Sequence, residues 1–324
     1  MARILDLDPD TYARHAVHQP GRTWAETHCY TDVVLELLHA LGHEPLAALG
    51  FTVSIDFDLD QWTFFKFLPG DLEELYALSL FELAPWRPLA RHVRDHVAAG
   101  RFVLVELDSF FLPDTAGTAY GLAHVKSTVA VNEIDREQRV MGYFHNQGYH
   151  RLSGDDFTAV FQEGGLAHAR MLPPYIEFLK PVPGARPLAG DPLVEASVAQ
   201  LARQVRRRPP ANPFAAFATQ LDADLPGLMD GGMDGFHAYS FATLRRYGAC
   251  FELAASHLAW LGERGVDGLA APAAAFATIS TETKALQMKL ARSVMRRRPL
   301  DPAPLRRHGE LWEAAMGALM QRVG

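Results

Sequence analysis

The chain has 324 residues, 48% of them hydrophobic and 21% charged, with a formal net charge of −7. That is the composition of a globular protein of one large or two ordinary domains, and the acidic balance argues against nucleic acid as a partner. Two cysteines, Cys29 and Cys250, give neither a disulfide framework nor a Cys-x-x-Cys metal signature. Acidic residues in Met1–Asp8 interrupt any signal-peptide core and no apolar run has the length of a membrane span, so a cytoplasmic, membrane-free protein is expected.

The first periodic segment follows Trp24-Ala25-Glu26-Thr27-His28-Cys29. Tyr30, Val33, Val34, Leu37, Leu38 and Leu41 recur at helical spacing, which predicts a helix over 29–42 opening on the thiol. Phe51–Phe57 and Trp62–Phe67 read as a pair of strands, and 71–79 and 86–99 as helices. The run Phe102-Val103-Leu104-Val105-Glu106-Leu107 is β-prone and mostly apolar. Val125–Ile134 and Val140–Phe144 follow as strands, with polar Asp135–Arg139 turning a hairpin between them. Lys180–Pro187 is dense in proline and reads as a linker. Beyond it the chain is rich in Ala, Leu and Arg, with helices expected at 192–207, 238–263, 266–298 and 303–322. The predicted fold is α+β over 1–185, with a small antiparallel sheet, joined to an all-α subdomain over 190–324.

Cys29 is the residue that points to chemistry. The first turn of a helix favours a negative charge, and for cysteine the anion is the reactive form. A cysteine nucleophile needs a base, and the base needs a partner that fixes its tautomer. His124 opens a predicted strand directly after the loop Leu112–Gly121, where it can face a cleft while the strand holds its backbone. The next strand ends in Phe144-His145-Asn146, so Asn146 or His145 would lie beside it, neighbouring strands being about 4.8 Å apart.

Cys29 at a helix start, Leu104–Pro113 leading through Asp108 and a Leu-Pro loop to His124, and a closing hairpin together resemble the papain-like fold of bacteriocin-processing peptidases. They are more similar still to the N-terminal domain of the butirosin biosynthesis protein H family, acyltransferases that act on carrier-protein thioesters. Trp24–Leu41, Asp60–Phe67 and Gly142–Asn146 also resemble a bacterial family designated DUF1839, over nearly the whole chain. The resemblance implies Cys29 as nucleophile, His124 as base and Asn146 as orienting residue, with Asp108 and His145 as supporting alternatives. It also implies an acyl or peptidyl carrier protein as donor, whose phosphopantetheine arm makes a resident cofactor unnecessary, and a small-molecule acceptor such as an amine. The rival expectations are a cysteine peptidase or amidase with the same residues, and a non-catalytic binding scaffold. Papain-like enzymes place an oxyanion-hole Gln shortly before the cysteine. None occurs from Arg22 to His28, so Gln61 is the candidate second donor.

Other patterns read as structural. Asp56-x-Asp58-x-Asp60 begins like a calcium loop but has Gln61 and Phe67 where that loop needs Gly and Glu. His92 and His96 lack the zinc-protease Glu, since Val93 follows His92. Asp230–Gly235 reads as a turn and Cys250 as inert core. Arg206–Arg208 and Arg296–Arg298 close predicted helices, where cations offset the dipole, and the cluster Arg296, Arg297, Arg298 is also the candidate dock for an acidic carrier protein.

Overall fold

The apolar stripe behind Cys29 does fold as a helix, and the β-prone runs pair as expected, but several partners come from segments whose sequence gave no sign of a strand. The structure is a computed structural model that describes residues 1–24, 27–163 and 174–324. In chain order its main elements are β1 (Ala2–Arg3), α1 (Cys29–Ala40), β2 (Phe57–Asp58), β3 (Gln61–Trp62), α2 (Pro69–Tyr76), β4 (Leu78–Glu82) and α3 (Leu89–Ala98). They continue with β5 (Phe102–Asp108), β6 (Lys126–Asp135), β7 (Val140–His145), β8 (Gly148–Ser153), α4 (Asp155–Val160) and β9 (Ile176–Pro181). The helices α5 (Gly190–Arg206), α6 (Pro213–Ala242), α7 (Leu244–Glu263), α8 (Ala270–Arg296) and α9 (Ala303–Val323) complete the chain.

The chain divides into two units. The first comprises 1–19, 28–45 and 72–187, and the second 20–27, 46–71 and 188–324. The first unit is mixed: an antiparallel seven-stranded sheet in the order β4-β9-β5-β6-β7-β8, with β1 also paired to β6. Side chains alternate across a sheet, so each strand has two faces. Val103, Val105 and Leu107 of β5, Val129 and Val131 of β6, and Met141 and Tyr143 of β7 share a dry core with Ala90, Val93 and Val97 of α3. The alternate positions, among them Leu104, Ala130 and Phe144, are buried on the other face, where α1 packs against β6 and β7.

That helix carries two fully buried carboxylates, Asp32 and Glu36. Charges out of water need partners. His18, from the N-terminal segment and itself buried, hydrogen-bonds Glu36 through Nδ1 and reaches Asp32 through Nε2 at 3.2 Å. The Tyr12 hydroxyl donates to Glu36 Oε2 at 2.6 Å, and the His15 N–H to Oε1 at 3.0 Å. A strand-poor leader is thereby tied to the site-bearing helix by side chains rather than by a ladder.

The second unit is an all-α bundle, α5 to α9, plus the short β2–β3 hairpin. Phe57 and Trp62 of the hairpin pack tilted or edge-on against Phe217, and Trp62 also against Phe214 and Tyr247, so two short strands are held by aromatic burial. Gly248 is required here: a Cβ would lie 2.5 Å from the indole of Trp24, whose Nε1–H donates to Ser280 Oγ at 3.1 Å. Cys250 is fully buried, as expected, and its thiol faces the Thr52 carbonyl at 3.4 Å.

Several expectations are corrected. The long 51–67 hairpin shrinks to β2 and β3, because Pro45–Ser54 winds into a 3-10 turn. The helix expected over 71–79 stops at Tyr76, where Ala77 adopts φ 54° and Leu78 enters β4. The expected helix 238–263 is split at Thr243, its first residues ending α6, and the rest of α6, from Pro213, was not expected, since Pro226 and its glycines break the periodicity. The Asp230–Gly235 turn is instead a kink inside α6 at Gly232, whose φ is 61°.

Burial acts against the charge on His18, but its bonds to Asp32 and Glu36 outweigh it and push its pKa from 6.5 up to about 9. A raised pKa stabilises the fold fully below the unfolded value, and that contribution disappears as the pH passes the folded one. Urea midpoints of the wild type should therefore fall between pH 6.5 and pH 10 by more than those of His18→Gln. At pH 7, His18→Leu should cost about 3–5 kcal/mol, because it strands two buried carboxylates. Equal pH responses in wild type and variant would contradict the assignment.

Candidate active site

Four polar side chains share the face of the β5–β6 pair toward which the start of α1 brings Cys29. The register sets Asp108 opposite Lys126 and Glu106 opposite Thr128, and directly opposed antiparallel residues point to the same side. Cys29 is the first residue of α1, entered from His28 in an extended conformation (φ −153°). It is half-buried, and its sulfur lies 3.9 Å from the Thr128 hydroxyl. Lys126 pairs with Glu106 on the same face.

His124 stands just before β6, with its side chain 68% exposed. Its Nδ1–H donates to Asp108 Oδ2 at 2.6 Å, and its ring stacks on Phe110 at 4.4 Å between centroids and 9° between planes. The other Asp108 oxygen accepts from the Phe110 N–H at 3.0 Å. One carboxylate therefore fixes both the imidazole and the aromatic ring beneath it. Fixing Nδ1–H leaves Nε2 as the nitrogen available to a substrate.

A second polar group adjoins Cys29. The hydroxyl of Tyr30 donates to Glu177 Oε2 at 2.8 Å, and that of Tyr175 to Glu177 Oε1 at 2.6 Å. Glu177 is 94% buried by its 6% exposure, and two phenols are what make a carboxylate tolerable there. Desolvation, then the hydrogen bond and charge of Glu177, then the charges of Glu82 and Glu106 raise the pKa of Tyr175. The phenols stay protonated donors and the surroundings are anionic, with Lys126 as a counter-charge.

The sequence-derived candidates separate as follows. Cys29, His124 and Asp108 belong to the first unit, and the pairing of His124 with Asp108 is direct. The Thr128 hydroxyl, rather than a ring nitrogen of His124, is the group within range of the Cys29 sulfur. Asn146 occupies the turn between β7 and β8 with φ 48°, so Asp108 and not Asn146 meets Nδ1 of His124. His145 faces the opposite side of the sheet, with Nδ1 on Asp114 and Nε2 on Ser127. Gln61 lies in β3, within the other unit. In the arginine cluster, Arg297 is engaged by Asp230 at 2.6 Å and by the Met229 carbonyl, while Arg296 and Arg298 are exposed. Among the described residues no group of three or more His, Cys, Asp or Glu side chains could hold a metal ion, and no helix is long and apolar enough to cross a membrane.

Thr128, Glu177, Tyr30 and Tyr175 were missed from sequence. The alternation of Glu106 and Asp108 with apolar neighbours was the one available signal that β5 has a polar end on this face. Nothing local links Tyr30 to a glutamate 147 residues away.

Residues 13–181 match the model of the DUF1839 N-terminal domain, and residues 190–321 that of the DUF1839 C-terminal domain. The chain belongs to the DUF1839 family. No curated protein matches it.

The two thiols differ sharply in access. Burial pushes Cys250 well above the ordinary thiol range, with the nearby Arg246 a smaller opposing influence, and leaves it fully enclosed. Iodoacetamide at neutral pH should therefore label Cys29 at least about tenfold faster than Cys250, since thiolate fraction and access govern alkylation. Peptide mapping of the labelled protein would read this directly. Equal rates would remove Cys29 as a nucleophile candidate.

Proposed function

We propose that this member of the DUF1839 family is a cysteine-dependent acyltransferase with a papain-like first unit. Cys29 takes an acyl or aminoacyl group from a carrier-protein thioester and passes it to an amine. The observation that carries the reading is a half-exposed cysteine at the first residue of a helix, on the same sheet face as an exposed histidine fixed by a carboxylate. A helix opening on a cysteine and packed on an antiparallel sheet, with a histidine at a strand start, is similar to the papain-like arrangement. Asp108 then takes the orienting position, in which a carboxylate also stabilises the imidazolium by charge.

In the first half-reaction His124 accepts the thiol proton and the Cys29 sulfur attacks the thioester carbonyl. The carbon–sulfur bond to the pantetheine arm breaks, and the released thiolate takes the proton from the imidazolium. In the second half-reaction the acceptor amine attacks the acyl-cysteine, its proton passes to His124, and the Cys29 thiol is regenerated as the amide forms. The His124 ring and Cys29 come together on substrate binding, as catalytic hydrogen bonds commonly tighten only in the loaded complex. Arg296 and Arg298, left exposed beside the engaged Arg297, are the proposed dock for an acidic carrier protein.

Intact-mass spectrometry after incubation with acyl- and aminoacyl-loaded carrier proteins tests the reading. The wild type should gain the acyl mass on Cys29 and lose it when an amine is added. Cys29→Ala should gain none while keeping its fold, and His124→Ala should acylate about 10²–10⁴ times more slowly, the range of general acid–base catalysis. An adduct on Cys29→Ala, or none on the wild type with any loaded carrier, would overturn the proposal. An adduct that only water removes would make the protein a cysteine hydrolase.

A further inference from the structure

On the sheet face opposite Cys29, four side chains form an unbroken hydrogen-bonded chain. They are Ser127 of β6, His145 and Tyr143 of β7, and Asp114 of the β5–β6 connection, and the three on strands point into the α3 side. This follows because Ser127 opposes Leu107, His145 opposes Val129, and Leu107, Val129 and Tyr143 are members of that core. Ser127 Oγ lies 2.6 Å from His145 Nε2, and His145 Nδ1 lies 2.6 Å from Asp114 Oδ2. The hydroxyl of Tyr143 donates to the other oxygen, Asp114 Oδ1, at 2.5 Å.

The connectivity is that of a serine nucleophile with its base and orienting acid, but the location rules that role out. Ser127 is 7% exposed and His145 1%, and both point to the side of the sheet that carries the buried α3 core. A nucleophile must reach a substrate carbonyl, and this one faces packed side chains.

What the chain does is visible from Asp114. It sits in the irregular stretch between the end of β5 and the start of β6, in the short 3-10 turn Pro113–Thr115. This stretch leaves the site face at Asp108, crosses to the α3 side at Asp114 and returns to the site face at His124. It has no ladder of its own. Besides the network, its anchors are the Ser109 N–H on the Val125 carbonyl, the Gly121 N–H on the Phe110 carbonyl, and the Tyr120 hydroxyl on Asp156. The Ser109 bond closes the loop at its base, the fully buried Leu112 seats it in the α3-side core, and the Asp114 carboxylate is its polar hold on the sheet. Residues 121–126 at its far end are exposed throughout.

We infer that Ser127, His145, Asp114 and Tyr143 are positioning residues that lock the 109–125 loop to the far face of the sheet and so hold His124 against Asp108 on the near face. The inference rests on the proposed role of His124 only for its functional meaning. The mechanical link from Asp114 to the His124–Asp108 contact can be measured without any substrate. A carboxylate with two short donors is a strong latch, because each bond to a charged acceptor exceeds an ordinary neutral one and desertion of a buried carboxylate is costly. The site face therefore depends on a polar cluster that lies on the other side of the sheet from Cys29 and touches no substrate.

The experiment uses the full chain as wild type, Asp114→Asn, His145→Gln, Ser127→Ala and Tyr143→Phe. Two readouts need no activity: hydrogen exchange of peptides spanning 109–125, and the NMR signal of the His124 Nδ1 proton bonded to Asp108. In Asp114→Asn and His145→Gln, exchange over 109–125 should rise at least about tenfold while α1 and β5 keep their protection. The His124 Nδ1 proton should broaden beyond detection in the same variants. Tyr143→Phe removes one of the two donors and should show a smaller rise. If Asp114→Asn and His145→Gln fail to fold, Ser127→Ala decides, since it deletes a single hydroxyl and should still raise loop exchange about threefold. Unchanged loop exchange with an intact His124 Nδ1 signal, in whichever of these variants fold, would overturn the inference. A third readout separates positioning from general damage. In the acyl-transfer assay kcat should drop about tenfold with KM for the loaded carrier within about twofold. A loss confined to KM would overturn the link to His124. Loosened loops in a protein whose wild type transfers no acyl group would sustain the latch and defeat only the acyltransferase reading.

Discussion

The pairing of β5 with β6 is the constraint on which the site depends. Its register sets Asp108 opposite Lys126 and Glu106 opposite Thr128, and its alternation sends those four to one face while Leu107, Val105, Ser127 and Val129 go to the other. A slip of one residue would exchange the two sets, burying carboxylates in the α3 core and presenting valines to α1. Such a slip is excluded by the cost of burying unpaired charge, so the dry core on one side enforces the polar arrangement on the other. The neighbour of Cys29 is thus decided by packing on a face that Cys29 never touches.

Polar side chains do a second kind of work in the first unit: they hold segments that have no ladder. His18 ties the leader to α1 through Asp32 and Glu36. Glu177 ties β9 to α1 through Tyr30. Asp114 ties the 109–125 loop to β6 and β7. In each case a carboxylate is withdrawn from water and satisfied by donors from a different segment, which makes the contact specific as well as strong. These clasps surround the start of α1 and the His124 loop, where a catalytic site needs fixed geometry without regular secondary structure.

The second unit follows other rules. Its helices bury aromatic residues against the β2–β3 hairpin, and close approach rather than charge sets the detail, as where Gly248 admits the indole of Trp24. Its second cysteine is packed in helix α7 and shielded from chemistry by that same density. The contrast between Cys29 and Cys250 is one of surroundings: the residue is the same, but Cys29 is partly exposed beside the Thr128 hydroxyl and Cys250 is enclosed.

Periodicity and punctuation, which are local, made much of this legible in the sequence. The stripe after Cys29 marked α1 and its start, the alternating runs marked β5, β6 and β7, and proline-rich breaks marked the ends of the long helices. Cys29 and His124 stood out because each lies at the boundary of such an element, while Asp108 entered only through the resemblance to papain-like proteins, as a supporting alternative. What the sequence left undecided was every pairing between distant segments. The strands β4, β8 and β9 took shape only as partners of other strands, and α6 was hidden by Pro226 and its glycines until neighbouring helices packed on it. The choice of Asp108 over Asn146 as the partner of His124 depended on the β5–β6 register and on the left-handed turn that holds Asn146 between β7 and β8. Those are properties of a register and a backbone fold. Local sequence carries the period of each strand, but only the assembled sheet fixes its phase against its neighbours.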